Sequence, residues 1–126
     1  MVLDISSNPV RDYSPLATIP KLVSLDLTFS RLKQVGVAGN ILSLTNLVLA
    51  WNHISDFSSL RRLSNLVTLD LADNFVTDYA ALLSLSSLRD LGLGNTAFPT
   101  QRFLLNSQTF TAWTCPGTKS STPRRC

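Results

Sequence analysis

The sequence has no glutamate, a single histidine, two cysteines and no long apolar run. A bilayer span needs about 20 consecutive apolar residues, so no membrane span is expected. One histidine and two cysteines do not give the spacing of a zinc site, and no nucleophile is spaced with His53 as in a hydrolytic triad. The segment "VGVAGN" (35–40) lacks the Lys-Ser/Thr of a phosphate-binding loop. We therefore expect no catalytic residues, no metal and no cofactor, and hence no enzyme.

Basic charge is concentrated at the carboxyl end. The chain has 126 residues and a net charge of +3, and its 44% hydrophobic content is that of one globular domain. All eight acids are aspartates within residues 1–98, whereas residues 99–126 carry Arg102, Lys119, Arg124 and Arg125 and no acid. Because the basic charge belongs to this segment and not to a folded surface, the sequence disfavours nucleic acid as a partner.

Targeting features are missing from the amino end. No basic segment leads into an apolar one after Met1, and no Asn-x-Ser/Thr sequon occurs, so we expect an intracellular protein more than a secreted one. A strand-like apolar pattern starts at once with Met1-Val2-Leu3, and no segment precedes it to shield the leucines behind. We expect either a truncated chain or one that pairs with a second copy through this edge.

A polar residue recurs every 22 positions among leucines. Stepping by 22 from Asn52 reaches Asn8, Ser30, Asn74 and Thr96. Around each of these the pattern L-x-x-L-x-L-x-x-N-x-ϕ returns, where ϕ is apolar. It is most complete at Leu44, Leu47, Leu49, Asn52 and Ile54. A strict 22-residue period indicates stacked repeats and does not fit the spacing of an amphipathic helix.

This pattern is that of a leucine-rich repeat of the 22-residue class. The chain resembles this class, which is found in bacterial internalins and in the phosphatase-1 regulatory subunit. The internalin-like signature N-x-I-x-D-I-x-P-L is similar to the segments "NPVRDYSPL" (8–16), "NHISDFSSL" (52–60) and "NFVTDYAAL" (74–82). The resemblance covers residues 1 to about 98 and departs at Ser30, Gln34 and Thr96. It implies an α/β solenoid: a right-handed superhelix with short parallel strands on its concave face and 3₁₀ or irregular segments on its convex face.

The repeat also predicts the domain boundaries. Residues 1–98 should form about five 22-residue units, the first one incomplete. Residues 99–117 should form a degenerate capping unit, because Leu104, Phe110, Trp113 and Cys115 keep the apolar phase. Residues 118–126 should be a flexible basic tail. Cys115 and Cys126 are predicted to be free thiols, since nothing in the sequence supports a disulfide between them.

The recurring polar residues should be structural. An amide side chain both donates and accepts, so a buried asparagine can satisfy several backbone groups where the chain turns sharply. The predicted anchor column is Asn8, Ser30, Asn52, Asn74 and Thr96. Its serine and threonine offer only a hydroxyl, so their turns should be held less well. Asp12, Asp56 and Asp78 should cap the N–H groups that follow them, and an acidic site is the alternative for these three.

The concave face holds the candidate binding residues, because side chains alternate along a strand and those between the leucines point outward. Five of the eight aspartates fall there, beside Phe29 and Trp51 on neighbouring repeats, and exposed aromatics beside charge are typical of binding hot spots. Small residues (Ala50, Ala72, Gly92, Gly94) should leave room for a partner. The predicted partner-binding residues are Asp4, Asp26, Phe29, Asn46, Val48, Trp51, Thr68, Asp70, Asp73 and Asp90. Alternatively, the aspartates only solubilise the surface and the two aromatics cover each other.

The predicted function is a non-enzymatic protein–protein interaction module whose partner offers basic and apolar groups. The resemblance implies a phosphatase catalytic subunit or a cytoskeletal motor as partner if the protein is intracellular, or a host receptor if it is a cell-surface adhesin. Two alternatives stay open: nucleic-acid or anionic-surface binding through residues 102–126, and a truncated repeat fragment with no independent function.

Overall fold

The computed structural model describes residues 1–76 and 80–96 and the backbone of residues 112–114. Asp78, Cys115, Cys126 and the basic tail lie outside the described residues. Within those residues, six short strands form one parallel sheet in chain order. They are β1 (Val2–Asp4), β2 (Ser24–Asp26), β3 (Asn46–Val48), β4 (Thr68–Asp70), β5 (Asp90–Gly92) and β6 (Ala112–Thr114).

The sheet follows the 22-residue period at every step. Each pair joins residues 22 apart, so Leu25 lies beside Leu47 and Leu47 beside Leu69. The predicted stacking of L-x-L segments as parallel strands is thereby confirmed. The last pairing sets Leu91 beside Trp113, which keeps the phase into residues 112–114. The capping unit as a whole stays a prediction, because most of residues 99–117 lie outside the described part of the chain.

Short helical segments connect the strands on the convex side. In the described part of the chain, three of them are 3₁₀ helices, as predicted: Ser14–Thr18, Gly36–Asn40 and Ser58–Arg62. The fourth, α1 (Ala80–Leu83), is a single α-helical turn, and its alanines and leucines are strong α-helix formers. Among the described residues, no helix combines the length and apolar character that crossing a membrane requires.

Leucines fill the space between the sheet and the convex segments. Those at equivalent positions in neighbouring repeats have no exposed surface: Leu22, Leu25, Leu44, Leu47, Leu49, Leu60, Leu63, Leu66, Leu69, Leu71 and Leu88. Burying each such side chain contributes about 1.5–3 kcal/mol. The convex layer also depends on Gly39, because a Cβ there would lie 2.7 Å from the Ser59 carbonyl oxygen.

Aspartates hold the start of two convex segments, as predicted. The Asp12 carboxylate accepts the Ser14 N–H at 2.8 Å, and the Asp56 carboxylate accepts the Ser58 N–H at 2.9 Å. These backbone hydrogen bonds stabilise the ionised form and lower the pKa of both carboxyls below 3.8.

Candidate partner-binding site

Asn52 joins two repeats at the turn that follows β3. Its Nδ2 donates to the carbonyl oxygens of Leu27, Leu49 and Ala50 at 2.9–3.1 Å. Its Oδ1 accepts the N–H groups of Ser30 and Leu32 at 3.1 and 2.9 Å. The side chain is 2% exposed, so the buried amide satisfies backbone groups that the sheet leaves without partners.

The other anchor residues differ in the number of backbone groups to which they are hydrogen-bonded. Asn74 is 4% exposed, and its amide contacts Leu49, Leu71 and Ile54 in the same manner as Asn52. Asn8 is exposed and donates only to the carbonyls of Ile5 and Ser6. Thr96 donates to the Leu93 carbonyl at 2.8 Å.

Ser30 is buried but contributes little. Its hydroxyl donates to the Thr28 carbonyl at 3.4 Å, a long hydrogen bond. The Tyr13 hydroxyl takes over part of the role of the missing amide: it donates to the Asn8 carbonyl at 3.0 Å and accepts the Val10 N–H at 3.2 Å. The sequence signal for this compensation is a tyrosine at the position where the third repeat has Phe57.

The residue before each anchor has left-handed backbone geometry. The column with φ between 54° and 58° is Ser7, Phe29, Trp51, Asp73 and Asn95. Asparagine and aspartate tolerate this region through local hydrogen bonding, whereas it costs other L-residues roughly 1–2 kcal/mol. The backbone enters this geometry as the chain leaves the sheet, where the Trp51 N–H still donates to the Ala72 carbonyl at 2.9 Å. The two aromatic residues therefore occupy backbone positions that suit asparagine or aspartate better.

Phe29 and Trp51 remain largely exposed, at 58% and 56% of their surface. Among the described residues the only stacked ring pair is His53 with Phe75, with ring centroids 6.1 Å apart, so stacking of Phe29 on Trp51 is not observed. A depression of about 340 Å³ lies beside Phe29 and Trp51, and the residues that line it form the rim of the concave face. It is lined by Phe29, Trp51, Asn52, His53, Asp73, Asn74, Phe75 and Asn95.

His53 and Phe75 belong to this rim, although sequence reasoning did not include them among the binding residues. They lie 22 residues apart, so the period itself places them on neighbouring repeats, beside the column that holds Trp51. Phe75 is 57% exposed. The rim therefore presents four rings where two were predicted.

The aspartates on the strands have a structural role. Asp4, Asp26 and Asp70 occupy one column, and each accepts the N–H two residues further on, from Ser6, Thr28 and Ala72, at 2.8–2.9 Å. That backbone bond lowers the pKa of Asp4. These side chains thus hold the turn after each strand through one carboxylate oxygen, and the other oxygen takes no part in that hydrogen bond.

Other predicted face residues are arranged by strand register. Asn46, Thr68 and Asp90 share one column, and Val48 lies between Asp26 and Asp70 in the next. Asp73 accepts the Asn95 side-chain N–H at 3.1 Å.

Two of the small residues expected to leave room for a partner do not do so. Ala50 is only 6% exposed. A Cβ on Gly92 would lie 2.5 Å from Asp70 Oδ1, so the glycine accommodates the neighbouring carboxylate.

Solved structures of internalins share this architecture. Internalin C2 from Listeria monocytogenes matches with a TM-score of 0.81 and 27% identity, over 90% of this chain and 50% of that one. An internalin (inlF) from the same organism matches with a TM-score of 0.74 and 29% identity, over 84% of this chain and 31% of that one. This is a leucine-rich repeat chain similar to the internalins. The internalin-like chain spans half the length of internalin C2 and about a third of inlF.

No family model matches the sequence, and no curated protein matches it. The likeness to internalins suggests a protein-interaction module. In the internalin-like chain, the described residues hold no group of three His, Cys, Asp or Glu that could bind a metal ion.

Proposed function

We propose that the chain is a non-enzymatic module that binds another protein on its concave face, with Phe29 and Trp51 at the centre of the contact. The observation that carries this proposal is the combination of exposure and backbone geometry at these two residues. Each exposes more than half of a large apolar side chain, and each has φ near 55°. Both features lower the stability of the isolated chain, and strained residues cluster at functional sites.

Charge on the face supports a partner with basic groups. The columns that point outward from the strands and their following turns carry five aspartates and no lysine or arginine. Asp26 and Asp70 flank the strand that precedes Trp51, and Asp73 lies one repeat from Trp51 in the same column. A protein surface that presents arginine or lysine beside apolar side chains complements this arrangement, because aromatic rings and carboxylates both attract cations.

The experiment compares partner capture by the wild type and by Phe29→Asn/Trp51→Asn. Asparagine suits the backbone geometry, so this variant should fold at least as well as the wild type. Leu42→Asn is the matched control, because Leu42 is 50% exposed outside this rim. A captured partner is then purified and titrated against all three proteins. Truncating one hot-spot residue costs about 2 kcal/mol or more, which is about 30-fold in affinity, and such costs are not additive. We therefore expect the double variant to bind at least about 30-fold more weakly.

Equal affinity of the double variant and the wild type, with circular dichroism showing both folded, would overturn the proposal. Equal weakening by Leu42→Asn would also count against it. Nucleic-acid or anionic-surface binding through residues 102–126 stays a prediction, since most of those residues lie outside the described part of the chain. A truncated repeat fragment with no independent function also stays a prediction.

A further inference from the structure

The first and second repeats are not joined at their turn as later repeats are. In the later repeats, the N–H after the anchor donates to the preceding repeat: His53 to the Leu32 carbonyl at 2.9 Å, and Phe75 to the Ile54 carbonyl at 3.0 Å. The equivalent donor in the second repeat is the Arg31 N–H, and the equivalent acceptor is the Val10 carbonyl. Within residues 1–76 and 80–96 this bond is absent.

The cause is the short side chain of Ser30. Asn52 accepts two N–H groups from the repeat before it, whereas the Ser30 hydroxyl stays within its own repeat. The Val10 N–H turns to the Asn8 carbonyl at 2.8 Å instead of reaching the second repeat. Arg31 adopts φ 56°, a left-handed geometry that His53 and Phe75 do not share. At this point the two repeats are linked by the long hydrogen bond from the Tyr13 hydroxyl to the Ser30 carbonyl, at 3.4 Å.

A cavity of about 350 Å³ opens at this point between the two repeats. This volume lies within the range of small-molecule sites. Val10, Leu32 and Val37 give it apolar walls, and Ser30, Gln34 and the Tyr13 side chain give it polar ones. Neither Phe29 nor Trp51 lines this cavity, so binding of a ligand there is independent of the proposed function.

Three basic residues and one acidic residue line this cavity. Arg11 and Lys33 occupy equivalent positions 22 residues apart, and Arg31 lies two residues before Lys33. None of the three forms an ion pair within the part of the chain that the structure describes. The one acid, Asp12, already accepts the Ser14 N–H. All three are exposed residues that line the same cavity, so an anion bound there would be attracted by each of them.

We propose that this cavity binds a small organic oxyanion of the phosphomonoester class. The phosphate would contact Arg11, Arg31 and Lys33, and the apolar body would lie against Val10, Leu32 and Val37. A phosphomonoester dianion balances a three-cation site better than a single carboxylate does. Guanidinium groups pair with phosphate oxygens in a forked geometry, and the unpaired Arg31 N–H adds a backbone donor.

Titration of the ¹⁵N-labelled full chain with phenyl phosphate at pH 7.5 tests the proposal. The amide signals of Val10, Tyr13 and Arg31 should shift saturably. Inorganic phosphate should bind the same residues more weakly, and phenol should not shift them. Arg31→Gln/Lys33→Gln should weaken binding at least about tenfold, since hydrogen bonds to charged groups are strong. The charge-matched control Arg61→Gln/Arg62→Gln, on the third 3₁₀ helix, should leave affinity unchanged.

A second variant tests the cavity without altering charge. Ser30→Asn restores the anchor amide and should join the two repeats, so the cavity closes and phenyl phosphate binding is lost while all three cations remain. Unchanged binding by folded Ser30→Asn would overturn the proposal, as would equal weakening in the Arg61/Arg62 control. So would the absence of saturable shifts with phenyl phosphate while vesicles of anionic lipid still bind, because the cations would then act only as a charged surface.

Discussion

The anchor residues of the second and third repeats are equally buried but make different hydrogen bonds. Ser30 and Asn52 are each 2% exposed. The Asn52 side chain makes five hydrogen bonds that reach its own and the preceding repeat, whereas the Ser30 side chain makes one at 3.4 Å. The 22-residue period therefore fixes the path of the chain in both repeats. The identity of the anchor decides how firmly one repeat is fastened to the next.

A neighbouring side chain adapts to each turn. Tyr13, in the repeat before Ser30, uses its hydroxyl to hold Asn8 and Val10, while Phe57 at the equivalent position is 3% exposed and purely apolar. The tyrosine makes its shorter hydrogen bonds only within its own repeat, since the bond from its hydroxyl to the Ser30 carbonyl is 3.4 Å long. Compensation within one repeat therefore leaves the gap between repeats, which is where the cavity lies.

The largest effect should come from removing the better anchor. Asn52→Ala leaves buried carbonyls and N–H groups of two repeats without partners, which should lower the free energy of unfolding by about 3 kcal/mol. Urea denaturation followed by circular dichroism measures this. Asn8→Ala is the control, because Asn8 is exposed and contacts only its own repeat, and it should cost under about 1 kcal/mol. Similar losses for both variants would remove the distinction between the two kinds of turn.

The opposite change should make the second turn resemble the third. Ser30→Asn supplies an acceptor for the N–H groups of Asn8 and Val10, and the cavity beside Ser30 has room for the larger side chain. We expect a gain of about 1–1.5 kcal/mol in the free energy of unfolding. The matched control is Thr28→Asn, which adds an amide two residues away, on the strand side of the turn. A loss of stability in Ser30→Asn alone would show that the second turn is adapted to serine.

The sequence predicted the repeat geometry closely because that geometry depends on spacing alone. One offset of 22 places the strands, their register and the buried leucines, and it requires no knowledge of side-chain conformation. The anchor column followed from the chemistry of the amide. What could not be predicted depends on backbone dihedrals and on contacts between repeats: the left-handed geometry of Trp51, the hydroxyl of Tyr13 and the stacking of His53 on Phe75. The strand aspartates were interpreted by charge alone, whereas their turn bonds depend on local geometry.

A smaller effect should distinguish strain from anchoring. Phe29 precedes the weak anchor and Trp51 the strong one, yet both have nearly the same φ. Phe29→Asn and Trp51→Asn should each raise the free energy of unfolding by about 0.5–1 kcal/mol, because asparagine tolerates this geometry. Leu42→Asn serves as the control for replacing an exposed apolar residue. A gain at Trp51 without one at Phe29 would mean that the looser second turn has already relieved its strain.

The smallest effect should appear only in acid. Asp12 and Asp56 cap convex segments in the first and third repeats, whereas the second repeat has Gln34, which does not titrate. Their pKa values are lowered below 3.8 by the bonds from Ser14 and Ser58, so the folded chain binds protons less readily than the unfolded one. Their contribution is therefore complete above pH 3.8 and lost as the pH falls through the folded values. Urea midpoints measured from pH 5 to pH 2.5 should fall less in Asp12→Asn/Asp56→Asn than in the wild type. If the second convex segment can form the same cap, Gln34→Asp should make the fall steeper. An unchanged slope would show that the second repeat does not present its N–H groups to residue 34.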